Sequence, residues 1–209
     1  MPSLPRIAVI GVGAEGEMMA DIRFMVKANA LVSVYCLKNE ARLSEYMPEL
    51  RSLGLANCIA GSVPPDDLLD MDLIILSHEY PRGSSFLSEA HKKGIEIEYP
   101  ETLFLKLTPP GTVVGIMGAV GKTTVLSMLA PMLVAATAGE DTQASYIIDM
   151  ESGDGMLSVL KRLKSGDILT LRITERMMPE ICSLKWSPQV AVFTTVPTAG
   201  SFKATPFEI

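Results

Sequence analysis

The stretch Val114-Gly-Ile-Met-Gly118-Ala-Val-Gly121-Lys122-Thr123-Thr124 decides how this chain reads. The apolar run 112–117 predicts a buried strand, the glycines predict a tight loop, and 122–136 predicts a helix. Backbone amides of a loop so placed cradle phosphates. A lysine there reaches the β/γ-phosphates, and the hydroxyl that follows binds Mg²⁺. The strict Walker spacing asks for glycine at 116, where Ile116 stands, so the loop is the shorter Gly118-x-x-Gly121-Lys122-Thr123. A chance Gly-Lys-Thr is the bland alternative, and the strand–loop–helix context weighs against it.

Downstream, 137–145 reads as a polar loop, 146–150 as a strand, 156–164 as a helix ended by Gly166, and 168–173 and 190–196 as strands. Upstream, Thr108-Pro-Pro-Gly111 reads as a linker. Before it, strands are expected at 6–10, 30–37, 72–76 and 95–97. Helices are expected at 15–28, 40–53 and 86–93, with a helix or turn at 100–107. Strands alternating with helices at this pitch imply parallel sheets. The expected fold class is α/β: a Rossmann-like parallel-sheet domain over 1–108, then a partial P-loop ATPase α/β domain over 109–209.

A second glycine turn, Gly11-Val-Gly13-Ala-Glu-Gly16, follows the first strand and opens a helix. Such a turn lets the backbone approach a pyrophosphate at a helix N-terminus. Dinucleotide binding would want an acid at the end of the second strand, but Tyr35-Cys36-Leu37-Lys38 stands there and the first acid is Glu40. Glu15 also puts a carboxylate near the phosphate position. A nicotinamide-dependent oxidoreductase is therefore disfavoured. A bare packing turn and a nucleotide-diphosphate site remain open.

The chain has 209 residues and a mass of 22.5 kDa, with 18 basic and 24 acidic residues and a net charge of −6. That size allows one large domain or two small ones. The balance disfavours a nucleic-acid partner over the whole surface and still permits a local anion pocket. Cys36, Cys58 and Cys182 show no metal spacing and read as reduced thiols. No signal peptide or membrane span is evident, so a cytoplasmic location is expected. The acids Asp66, Asp67, Asp70 and Asp72 read as turn and cap residues, and the 13 methionines as core filling. Lys161, Arg162 and Lys164 read as a solvated face. With two histidines, His78 and His91, and no nucleophile elbow, covalent triad chemistry is not indicated.

Met117-Gly-Ala-Val-Gly-Lys-Thr-Thr124 resembles the Thr-Gly-Thr-Asn-Gly-Lys-Thr-Thr loop of the Mur ligases and folylpolyglutamate synthases. Residues 6–16, Asp72 to Ser77, Glu89 to Ile97 and Glu101-Thr-Leu-Phe-Leu105 resemble the N-terminal domain of the D-glutamate-adding Mur ligases. Residues 187–195 resemble a strand of their central domain. The resemblance implies ATP-dependent amide-bond formation in peptidoglycan precursor synthesis, with ATP, Mg²⁺ and a UDP-linked muramoyl precursor as ligands. It implies ATP contacts from Gly118, Ala119, Val120, Gly121, Lys122, Thr123 and Thr124, with Lys122 as the catalytic cation and Thr123 on Mg²⁺. It implies a UDP-type ligand at Gly11, Gly13, Gly16, Cys36, Leu37 and Ser77.

Several positions depart from the family. Ala119 and Val120 replace Thr and Asn, and His78 and Glu79 replace Pro and Gly. Thr195 stands at an asparagine position with no histidine after it. By spacing, the family's metal-binding glutamate falls on Arg172, while an alternative placement offers Asp149 or Glu151 as ligand. Two readings follow: a truncated or divergent ligase, or an inactive nucleotide-binding module with a structural or regulatory role. The length predicts one complete Rossmann-like domain and part of an ATPase domain.

Overall fold

The computed structural model describes residues 4–13, 16–62, 66–81, 83–137, 144–149 and 155–195. They form two compact units, one of Met1–Thr108 with Met150–Arg162 and one of Pro109–Asp149 with Leu163–Ile209.

The first unit carries a parallel sheet of β1 (Arg6–Ile10), β2 (Leu31–Cys36), β3 (Asn57–Ala60), β4 (Leu73–Leu76) and β5 (Glu96–Glu98), in the order β3-β2-β1-β4-β5. This is a Rossmann-like arrangement, with its topological switch point between β1 and β4. A parallel sheet is covered on both faces, so its central strands are apolar throughout. Val9, Val34 and Ile75 pack with Met19, Ile22 and Met25 of α1 (Met19–Lys27) and Leu50 of α2 (Met47–Ser52). Ala8, Ile10, Tyr35, Ile74 and Leu76 lie in a second cluster with Ala90 of α3 (Ser85–Lys92) and Tyr99, which precedes α4 (Pro100–Leu107).

The second unit carries β6 (Thr112–Met117), β7 (Ser145–Ile148), β8 (Ile168–Arg172) and β9 (Val190–Phe193), all parallel, in the order β7-β8-β6-β9. It also holds α5 (Lys122–Thr137) and α6 (Met178–Ser183). Buried Asp167 sets the register at the strand starts. Its carboxylate accepts the amides of Ala144 at 2.9 Å and Lys164 at 2.7 Å, and its carbonyl accepts that of Thr112 at 3.0 Å.

Between β7 and β8 the chain returns to the first unit. Met156, Leu157 and Val159 are buried there. The Asp21 carboxylate on α1 accepts the Leu157 amide at 2.8 Å. Gly155, at φ +71°, lies so close to α1 that a Cβ would stand 2.5 Å from the Ala20 Cβ.

Some sequence expectations are corrected. The helix expected over 40–53 is a 3₁₀ turn, Glu40–Leu43, followed by α2 with Pro48 in its first turn. Proline fits the first turn of a helix and not its interior, so the chain restarts there. The helix expected over 156–164 is a 3₁₀ turn, Leu157–Lys161. β3 and α6 are additions to the expected elements. Asn57-Cys-Ile-Ala60 lacks the apolar alternation of a strand and is an edge strand, while Met178-Pro-Glu opens a short helix through its proline. No helix among the described residues is long and apolar enough to cross a membrane.

Candidate functional site

In the second unit, β6 lies between β8 and β9 and delivers the Gly118–Lys122 loop at its C-terminal end. Gly118 has φ +131°, and a Cβ on it would meet the Thr194 Oγ1 at 2.3 Å. Glycine is therefore required both for conformation and for space. Gly121 has φ +85°, and its carbonyl accepts the Val125 amide at 3.0 Å as α5 begins. The first amides of a helix have no intrahelical partner, and with the helix dipole they favour an anion. Thr123 and Thr124 are exposed in that first turn.

The loop is held from the end of β9 by two hydroxyls. Thr194 Oγ1 donates to the Val120 carbonyl at 2.5 Å. Thr195 Oγ1 accepts the amides of Ala119 at 2.8 Å and Val120 at 3.3 Å. Lys122 folds back, its Nζ donating to the Gly118 carbonyl at 2.5 Å. Sequence reasoning places Thr195 at a family position and misses both hydroxyls as loop supports. The available signal is a Thr-Thr pair directly after an apolar run.

Asp149 follows β7 and Arg172 ends β8. One guanidinium nitrogen of Arg172 lies 3.0 and 2.9 Å from the two oxygens of Asp149, and the side chains are 14% and 20% exposed respectively. Two of the three residues weighed for the metal position, Arg172 and Asp149, are thus paired with each other. Glu151 lies outside the described residues. Among the described residues no three His, Cys, Asp or Glu side chains gather into a metal-binding group.

The fit is therefore divided. Left-handed glycines, a helix N-terminus and Lys122 suit a phosphate. A Mg²⁺ ion held between Thr123 and a strand-end carboxylate does not suit Asp149, because that carboxylate is already ion-paired.

In the first unit, Gly11, Gly13 and Gly16 have φ of +87°, +87° and +75°. They follow β1 at the switch point, where open α/β sheets bind ligands. A Cβ on Gly11 would stand 2.0 Å from the Ser77 Oγ, so the turn is fitted against the end of β4. Among the described residues, the buried Ser77 Oγ has no hydrogen-bond partner. Lys38 and Glu79, just beyond the strands flanking β1, form an ion pair at 2.8 Å. The Cys36 thiol is buried in the core, and burial pushes it up to about 12. Its carbonyl accepts the Gly61 amide at 2.8 Å. Leu37 is half-buried beside it. Glu15 lies outside the described residues.

The residue after Ser77 belongs to a buried acid–imidazole contact. Glu101 on α4 is fully buried and 3.0 Å from the His78 Nε2, and His78 stacks on Tyr99 at a centroid distance of 5.0 Å. Asp21, raised to about 7 chiefly by burial, also feels the charge of Glu101.

No family model matches the chain. It is 28% identical over 191 residues to the UDP-N-acetylmuramoylalanine–D-glutamate ligase of Symbiobacterium thermophilum, covering 91% of this chain and 39% of that protein. It is 33% identical over 132 residues to the enzyme of the same name from Desulfosudis oleivorans, covering 63% of this chain and 28% of that protein. The chain is thus similar to proteins named as D-glutamate-adding Mur ligases. The solved structure of UDP-N-acetylmuramate-alanine ligase from Thermotoga maritima matches with a TM-score of 0.50 at 21% identity, over 91% of this chain and 41% of that one. That likeness bears on the fold alone. It agrees with a Rossmann-like unit followed by a P-loop unit. The chain spans about two fifths of the length of the first of these relatives.

Proposed function

We propose that this chain is the substrate- and nucleotide-binding portion of an ATP-dependent, amide-forming ligase of peptidoglycan precursor synthesis. The reaction is the addition of D-glutamate to UDP-N-acetylmuramoyl-L-alanine. One observation carries the reading: a Gly118-x-x-Gly121-Lys122-Thr123 loop at the end of central strand β6, in a unit that follows a Rossmann-like unit with its own glycine turn at the switch point.

In this reading ATP lays its phosphates along the amides from Ala119 to Thr124. Lys122 swings from the Gly118 carbonyl onto them, a cation exchanging a neutral acceptor for a charged one. The turn at Gly11, Gly13 and Gly16, with Ser77, receives the diphosphate of the UDP-linked precursor. ATP then activates the muramoyl carboxylate as an acyl phosphate, and the amine of D-glutamate displaces phosphate.

A second reading, nucleotide binding without amide formation, draws on the Asp149–Arg172 pair. Calorimetric titration with ATP, GTP and UDP-N-acetylmuramoyl-L-alanine tests the proposal. Lys122→Ala is expected to weaken ATP by roughly 1–3 kcal/mol, the scale of a charge-assisted contact. The absence of nucleotide heat would sink it. ADP release dependent on precursor and D-glutamate separates the two readings.

A further inference from the structure

We infer that the second cation of this phosphate site is Arg172, so that the loop takes a nucleoside polyphosphate without a divalent metal. The inference rests on the nucleotide-binding reading above and concerns the ionic form of the ligand.

Arg172 is the register partner of Ile116, and the Ile173 amide donates to the Ile116 carbonyl at 3.0 Å. Ile116 lies two residues before Gly118. With about 3.3 Å of rise per residue and about 4.8 Å between strands, the Arg172 Cα lies about 8 Å from the start of the loop. That separation is within the compass of an arginine and a triphosphate together.

P-loop proteins balance phosphate charge with the loop lysine and a Mg²⁺ that a hydroxyl and a strand-end carboxylate hold. Of the two carboxylates that the sequence offers there, Asp149 lies among the described residues, and Arg172 occupies both of its oxygens. A divalent cation would have to displace a guanidinium to reach it. Lys122 follows the loop at the end of β6 and Arg172 ends the adjacent strand β8, so two cations stand where a polyphosphate would lie. Guanidinium is also the side chain best shaped for phosphate oxygens. The pair is only partly exposed, so solvent screens it less than a surface pair.

The test is calorimetric titration of ATP into the whole chain, once with excess EDTA and once with excess Mg²⁺. The expected result is apparent affinity at least about threefold tighter with EDTA, because excess Mg²⁺ converts nearly all the nucleotide into its metal complex. Lys122→Ala should weaken binding in both, and Arg172→Gln should weaken Mg²⁺-free ATP about tenfold. Asp149→Asn removes the competing carboxylate and should tighten Mg²⁺-free ATP, which supplies a readout should Arg172→Gln not fold. A difference between the buffers smaller than about threefold, or tighter binding with Mg²⁺, overturns the inference and leaves the nucleotide reading standing. Binding untouched by Lys122→Ala, or absent from both buffers, overturns both.

Discussion

The Asp21 carboxylate accepts the backbone amide of Leu157 across 136 positions of sequence at 2.8 Å. Burial raises this acid from 3.8 to about 7, against the pull of the Leu157 and Met156 amides, and Glu101 adds to the rise. His78 faces Glu101 at 3.0 Å. A carboxyl whose folded value lies above its unfolded one is most stabilising while protonated. Its contribution falls as pH climbs from about 4 through about 7. The wild-type chain should therefore lose about 2 kcal/mol more than Asp21→Asn between roughly pH 5.5 and 8, because asparagine keeps an acceptor and cannot ionise. Denaturant unfolding at both pH values measures this, and parallel curves would refute it.

Gly155 and Gly166 form an internally controlled pair. Both have positive φ, +71° and +94°, but a methyl group at Gly155 would stand 2.5 Å from the Ala20 Cβ, while one at Gly166 would meet nothing within 4 Å among the described residues. Gly166→Ala should cost about 1 kcal/mol for conformation alone, and Gly155→Ala about 2–3 kcal/mol. Thermal unfolding of the two variants gives the difference, and equal losses would contradict the close packing.

Thr195 should govern how closed the phosphate loop is at rest. Thr195→Val removes the acceptor of the Ala119 and Val120 amides. Exchange of those two amide protons should quicken roughly tenfold, the equivalent of one ordinary hydrogen bond. Residue-resolved hydrogen exchange reads this directly, and unchanged protection would show that the hydroxyl does not hold the loop.

The Glu101–His78 contact predicts a sharp contrast between the two histidines. His78→Ala leaves a fully buried carboxylate without its imidazole and should cost about 2–3 kcal/mol. His91, exposed on α3, should cost under about 0.5 kcal/mol when changed to alanine. Urea midpoints compare them, and similar losses would remove the pair from the stability account.

Legibility in the sequence follows the range of the interactions. β1, β4 and β6 are apolar because both faces of a parallel sheet are covered, so each announces itself locally. The phosphate loop is equally local, since Gly118, Gly121 and Lys122 are fixed by backbone conformation and charge. β3 is not local: Asn57-Cys-Ile-Ala60 is a strand because β2 offers it a ladder. The same holds for the site partners. Arg172 and Asp149 each resemble a metal-position residue in sequence, and only the β7–β8 register shows that they cancel. No periodicity could have joined Asp21 to Leu157.

The return of the 155–162 segment to the first unit means that a boundary in space is not a cut site in sequence. The chain passes between its units after Thr108, after Asp149 and again after Arg162. A fragment stopped at residue 108 would lose Met156, Leu157 and Val159 from its interior and leave the Asp21 carboxylate without the Leu157 amide. The stretch 1–108 produced alone is thus an incomplete object. After a single protease nick at the Thr108–Pro109 link, residues 1–108 would be held to the rest by non-covalent packing against Met156, Leu157 and Val159 and by the Asp21–Leu157 hydrogen bond.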